Sequence, residues 1–261
     1  MTRRLILRPG AIGDTIVSLP ALESLRADYT EIWAPSANLP LLQHLGTTRP
    51  LVSTGIDALR LAQPVRDRLA QFDDIVSWYG ANRDDFRAQV ANLPFRFFTA
   101  LPPQDSSVHA ADFYLEQVGA PLGAVPRLPM PRTPQGFAVI HPFSGGKTKN
   151  WPLERFHDVA GLLPMPVRWC AGPDEPLEFA CRFNDLGALA RWLATASVYV
   201  GNDSGISHLA AACGVPVVAV FGPTNPAIWA PRGDRVRIAN WDWPPERVAG
   251  VVTALAENQC L

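Results

Sequence analysis

Lysine is almost absent from this chain. Of its 23 basic residues only Lys147 and Lys149 are lysines, the rest being arginines, and against 24 acidic residues they leave a net charge of −1. That balance excludes a whole-chain attraction to nucleic acid or to an anionic membrane. Cysteine is also sparse: Cys170, Cys181, Cys213 and Cys260 show no CxxC spacing, which speaks against zinc or dithiol redox chemistry and makes them buried thiols of a reducing compartment. Long apolar runs are missing too. The longest, residues 209–222, is interrupted by Gly214-Val215-Pro216 and falls short of the roughly 20 residues that span a membrane. Near the start, Arg3 and Arg4 precede three apolar residues and then Arg8, too few for the apolar stretch of a signal peptide. A cytoplasmic protein is the expectation. No internal repeat and no low-complexity tract is present.

What is abundant points to an α/β protein. Hydrophobic residues make up 48% of 261 positions, enough for one large domain or two small ones. Short apolar β-rich runs at 5–7, 32–34, 74–78 and 95–99 alternate with helical patterns, among them 14–26 and 108–119, as in a parallel sheet with helices packed on it. The acidic pairs Asp73-Asp74 and Asp84-Asp85 read as solvated element ends rather than metal ligands. From 120 onward the periodicity stops, and Pro121, Pro126, Pro129, Pro131 and Pro134 remove donors and fix φ. The alternation then restarts, with strands expected at 137–141, 167–171, 198–201 and 217–221 and helices at 152–163, 185–196, 205–213 and 244–257. The expected organisation is therefore an N-terminal domain over 1–120, a Pro-rich linker over 121–136, a C-terminal domain over 137–243 and a terminal helical segment over 244–261. Two such halves place a cleft between two sets of strand carboxyl ends, where open α/β sheets bind ligands.

Three segments carry the chemistry. In the stretch 199–224, a buried strand ends at Gly201, Asp203 or Ser204 can cap the next helix, and Gly205 lets a ligand approach the backbone. The free N–H groups of that helix form an anion site suited to a phosphate, with His208 one turn inside and Thr224 in the turn after the following strand. An ordinary capped helix of a βαβ unit is the alternative. In 141–152, Gly146-Lys147-Thr148 suggests a phosphate-binding Walker loop, but the glycine that motif requires at 141 is His141, and Trp151-Pro152 starts the helix several residues late. What remains is a glycine-rich loop with both lysines, in a chain that otherwise uses arginine. It reads either as a point charge for a diphosphate oxygen or as a solvated loop. In 5–22, a strand runs through Arg8, Gly10 and Gly13 to Asp14 at a helix start. The GxGxxG spacing is absent, and Asp14 is either an N-cap or a carboxylate base.

Taken in order, the three segments resemble glycosyltransferase family 9, which contains the ADP-heptose:lipopolysaccharide heptosyltransferases. The matching residues are Gly13-Asp14 with Leu19-Pro20-Ala21-Leu22, then His141-Pro142 with Lys149-Asn150-Trp151-Pro152 and Phe156, and an almost continuous block from Gly201 to Thr224. The resemblance implies an α/β GT-B fold, two Rossmann-like domains facing across a cleft, with acceptor on the N-terminal side and nucleotide-sugar donor on the C-terminal side. It implies an inverting transferase without metal or cofactor, moving a heptose or related sugar from an ADP-sugar to a glycan or glycolipid such as lipopolysaccharide core. Nucleic acid is not an implied partner, and peripheral contact with the inner membrane face is compatible with cytoplasmic localisation. Residue by residue, Asp14 would be the base, with Arg8, Gly10 and Gly13 in the acceptor-side loop. Ser144, Lys147 and Lys149 would meet the diphosphate, Asp203, Ser204, Gly205, His208 and Thr224 would hold phosphate and sugar, and Asp174 would bind the nucleotide ribose. The chain is shorter than typical members, notably in its N-terminal half, so a non-catalytic nucleotide-sugar-binding protein derived from the family is the alternative.

Overall fold

The computed structural model describes residues 1–257. Cys260 and the remainder of the expected 244–261 segment lie outside the described residues. The alternating pattern resolves into two compact units. Unit 1 comprises Met1–Ser106 and Ala110–Ala124, and unit 2 comprises Ser107–His109 and the chain from Val125 onward.

Unit 1 carries strands β1 (Arg3–Leu7), β2 (Tyr29–Ala34), β3 (Thr47–Pro50), β4 (Asp74–Ser77) and β5 (Phe95–Phe97), all parallel, in the order β3-β2-β1-β4-β5. Its helices are α1 (Ile12–Val17), α2 (Leu19–Ser24), α3 (Leu39–Leu42), α4 (Gln63–Leu69), α5 (Asp84–Gln89) and α6 (Ala110–Val118). Leu5 and Leu7 of β1 meet Trp33, Ile75 and Phe86 in the core of this unit, and Ile6 is equally buried, as befits a central parallel strand with both faces covered. The single helix expected over 14–26 is two helices meeting at Ser18. Pro20 is the reason, since it has no N–H for the carbonyl four residues back and its ring crowds that turn. Asp74 is not solvated as expected: Arg4 reaches it at 2.5 Å and Arg96 at 2.7 Å.

Unit 2 carries β6 (Ala138–His141), β7 (Val167–Trp169), β8 (Val198–Asn202), β9 (Val217–Phe221) and β10 (Val236–Asn240), again all parallel, in the order β10-β9-β8-β6-β7. Helices α7 (Leu153–Leu162), α8 (Leu186–Leu193), α9 (Gly205–Ala212), α10 (Pro226–Trp229) and α11 (Pro245–Glu257) complete it. Trp151, Phe156, Val200, Val218 and Val252 form its core. The expected linker of 121–136 is divided. Its part from Val125 onward is strapped to unit 2, Leu128 N–H donating to Ala212 at 2.9 Å and Gln135 N–H to Thr195 at 2.9 Å, because the residues between the prolines keep their donors. Cys170 and Cys213 are buried as expected; Cys181 is only half-buried.

The two strand orders differ in kind. Unit 1 follows the 3-2-1-4-5-6 order of a Rossmann sheet as far as its fifth strand, and unit 2 the 2-1-3-4-5 order of flavodoxin-like sheets. The chain therefore reverses direction across the sheet between β1 and β4 in unit 1, and between β6 and β8 in unit 2. Ligands of open α/β sheets bind outside the strand carboxyl ends at such reversals.

Candidate functional site

At the reversal in unit 2, β6 ends at His141 and β8 at Asn202. Ser204, not Asp203, caps α9, its Oγ accepting the Ser207 N–H at 3.3 Å. This leaves the Asp203 carboxylate for other work. Its Oδ2 stands 2.7 Å from Lys149 Nζ, an ion pair whose geometry falls outside that of a directional hydrogen bond. The Asp203 carbonyl accepts the Ser144 hydroxyl at 2.7 Å, so the loops after β6 and β8 are joined by charge and by a hydrogen bond. Asn202, which the sequence reading passed over, is the staple beneath them. Its Oδ1 accepts the Trp151 N–H at 2.9 Å and its Nδ2 donates to the Pro142 carbonyl at 2.7 Å. Gly201 has no room for a side chain, since a Cβ there would lie 2.5 Å from the Tyr199 hydroxyl and 2.9 Å from the His141 carbonyl.

His208 is buried on the first turns of α9. Burial pushes its pKa down to about 4; Asp203 opposes the shift, and His109 and Lys149 add to it. At neutral pH it is an uncharged imidazole that can donate or accept one hydrogen bond. Ser144, Lys149, Asp203, Ser204, Gly205 and His208 thus gather at one helix mouth, where free N–H groups favour an anion. Lys147 is exposed and outside the ion pair, and Thr224 is half-buried in the loop after β9. Asp174 is exposed, and its neighbour Glu175 is the acid that is engaged. Glu175 Oε2 lies 3.0 Å from His141 Nε2 and accepts the Gly172 N–H at 2.5 Å. Burial alone would raise the Glu175 carboxyl; the His141 contact and the Gly172 N–H outweigh it and hold it below its ordinary value. The only sequence signal for Glu175 was its place beside Asp174.

At the reversal in unit 1, the loop after β1 winds around a buried cation. Arg8 is 1% exposed. Its guanidinium donates to Ser18 Oγ at 2.8 Å, to the Pro9 carbonyl at 2.8 Å and to the Asp14 carbonyl at 2.6 Å, and it lies over the Tyr114 ring at 4.6 Å. Gly10 has φ +117°, and a Cβ there would come within 3.0 Å of Asp14 Oδ2, so the turn requires glycine. Gly13 is in the first turn of α1. Asp14 is not the N-cap: Ala11 is, and the Asp14 carboxylate folds back so that Oδ2 accepts the Ala11 N–H at 2.9 Å. Among the described residues Oδ1 carries no hydrogen bond. The described residues also hold no cluster of three or more metal-ligating side chains.

Comparison with known proteins bears on the fold and the family. Lipopolysaccharide heptosyltransferase 1 of Escherichia coli K12 is 34% identical over 97 residues, which cover 31% of this chain and 30% of that protein. The matched stretch is thus less than a third of the curated relative's length. The crystal structure of a glycosyl transferase family 9 protein from Veillonella parvula superposes with a TM-score of 0.76 at 19% identity, covering 98% of this chain and 97% of that one. The structure of E. coli ADP-heptose lps heptosyltransferase II gives 0.79 at 16% identity with 100% of both chains covered. These likenesses are of fold, and they make the two parallel-sheet units a GT-B fold. The family model described as glycosyltransferase family 9 (heptosyltransferase) matches residues 116–248, more than half of the chain, and the protein belongs to that family.

Proposed function

We propose that this chain transfers a heptose, or a closely related sugar, from an ADP-sugar to a cell-surface glycan of the lipopolysaccharide-core type, with inversion and without a metal. The observation that carries the reading is the Lys149–Asp203 pair at the mouth of α9. Departure of a nucleoside diphosphate puts negative charge on the oxygen leaving the anomeric carbon. An ammonium and the N–H groups of a helix start stabilise that charge where a metal would otherwise serve. In this reading the diphosphate takes the Lys149 ammonium into its own coordination, helped by Ser144 and Lys147, while Asp203, Ser204, Gly205, His208 and Thr224 hold phosphate and sugar. The ribose falls to the acidic turn of Asp174 and Glu175.

Unit 1 supplies the acceptor side. Asp14 Oδ1 takes the proton from an acceptor hydroxyl as its oxygen attacks the anomeric carbon. The bond to the diphosphate breaks on the opposite face, so the configuration inverts. Arg8, Gly10 and Gly13 hold the loop that presents Asp14. A lipid-linked acceptor would bring the chain to the inner membrane face from the cytoplasm.

The test is a panel of nucleotides and nucleotide sugars, with EDTA present, scored by thermal shift and then by transfer to lipopolysaccharide core acceptors. ADP and ADP-sugars should raise the melting temperature more than their UDP or GDP counterparts, and transfer should persist in EDTA. A panel without any stabilising nucleotide would remove the reading.

A further inference from the structure

The residues at the other end of α9 are unrelated to the donor site. Eight residues of helix separate the two ends, about 12 Å. There, a cavity of about 410 Å³ opens between the strapped segment after Val125, the end of α9 and the turn before β10. Three arginines line it: Arg127, Arg132 and Arg235. Arg132 donates to the Gly214 carbonyl at 2.7 Å and to the Ala196 carbonyl at 2.7 Å, and Arg235 donates to the same Gly214 carbonyl at 2.9 Å. Arg127 stands at the rim, 3.9 Å from Asp234, whose side chain is 89% exposed. Among the described residues, Asp234 is also the only acid in the lining.

Basic side chains near a helix C-terminus ordinarily cap its carbonyls. The Ala212 carbonyl is taken by the Leu128 N–H, and the two lone pairs of the Gly214 carbonyl accept from Arg132 and Arg235, which brings the two guanidinium groups together at the cavity. Burial and the charge of Arg235 together push the Arg132 guanidinium down to about 10. Leu128, Met130, Val215 and Val236 add apolar side chains to the lining. The volume lies in the range of small-molecule sites.

We propose that this cavity binds a phosphate monoester with a small apolar body, the phosphate lying between Arg132 and Arg235 under Arg127 and the body against Leu128 and Met130. Guanidinium groups suit a phosphate because they offer paired donors in a plane. The ester is either soluble or the headgroup of an acidic lipid. The inference does not depend on the transferase reading.

Phenyl phosphate titrated into the full chain with ADP in excess tests it. Saturable binding is expected, at least tenfold tighter than that of inorganic phosphate, which leaves the apolar wall unused. Arg235→Gln should weaken it tenfold or more, and Arg127→Gln, at an exposed position that leaves the fold intact, severalfold. Retention of the chain on phosphatidylcholine vesicles containing phosphatidic acid, whose headgroup is a phosphate monoester, but not on phosphatidylcholine alone, lost in Arg235→Gln, would assign the lipid source. Phenyl phosphate binding without such retention would assign the soluble one. Affinity unchanged in both variants, displacement by ADP, or no saturable binding would overturn the proposal.

Discussion

Lys149 and Asp203 are unequally exposed, at 34% and 7% of their side chains, and this decides what each substitution does. Lys149→Ala leaves a buried carboxylate without its cation. Because the lysine is partly solvated, the expected cost is about 1–3 kcal/mol, below that of breaking a fully buried pair. The same variant should lose ADP affinity. Adding Asp203→Asn should restore stability in a denaturant titration without restoring ADP binding; recovery of both would mean that Lys149 serves Asp203 alone. Asp14→Asn keeps an acceptor for the Ala11 N–H but removes the carboxylate that we propose as the base. Transfer should fall by roughly 10²- to 10⁴-fold with ADP affinity unchanged, whereas equal loss of both would make the carboxylate a structural group. His208 supplies a pH dependence. Its folded pKa of about 4 lies below the ordinary 6.5, so the unfolded chain takes up a proton first as pH falls. Stability is complete above 6.5 and declines by roughly 3 kcal/mol towards pH 4. Urea midpoints of the wild type should drop across that window, and those of His208→Asn should drop less.

At the scale of elements, legibility in the sequence followed burial. Strands covered on both faces, such as Leu5–Ile6–Leu7 and the VVAVF run of β9, were plain because both faces must be apolar. Of the edge strands, β5 and β7 were legible through their aromatic and β-branched residues, whereas β3 and β10 were missed: TTRP and VRIAN carry polar and exposed positions, which a strand with a single paired neighbour tolerates. The helix mouth was legible as a candidate site, but the division of labour within it was not. Either Asp203 or Ser204 could cap, and only the fold shows that Ser204 does so while Asp203 pairs with a lysine more than 50 positions earlier. Of the two neighbouring lysines, one reaches that pair and the other stays in solvent, a difference that a 3₁₀ turn creates and spacing does not reveal. Gly201 tests how tightly the reversal between β6 and β8 is built. Gly201→Ala forces a methyl against the Tyr199 ring and the His141 carbonyl, which should cost about 1–3 kcal/mol. Tyr199→Phe in the same background should relieve only part of it, because the backbone contact remains. Full relief in thermal melts would place the strain on the hydroxyl alone.

For the whole molecule, what matters is that each unit encloses a core of its own, around Trp33 and Phe86 in unit 1 and around Trp151 and Val218 in unit 2. A ligand held by one unit stabilises that unit against opening by RT ln(1 + [L]/Kd), about 2.7 kcal/mol at a hundredfold excess over Kd. If the donor site belongs to unit 2, ADP at that concentration should slow amide exchange in β6, β8 and the core of unit 2 by up to about 100-fold, wherever exchange requires that unit to open. Peptides from β1, β2 and β4 should exchange at their unliganded rates. Equal slowing in both units would mean either that they open together or that ADP engages both. Lys149→Ala separates these outcomes. A variant that abolishes slowing in both units at once would show cooperative opening driven from the unit 2 site. One that abolishes it in unit 2 while the β1 region stays protected would show a second nucleotide contact near Arg8 and Asp14, and would overturn the assignment of donor to one unit and acceptor to the other.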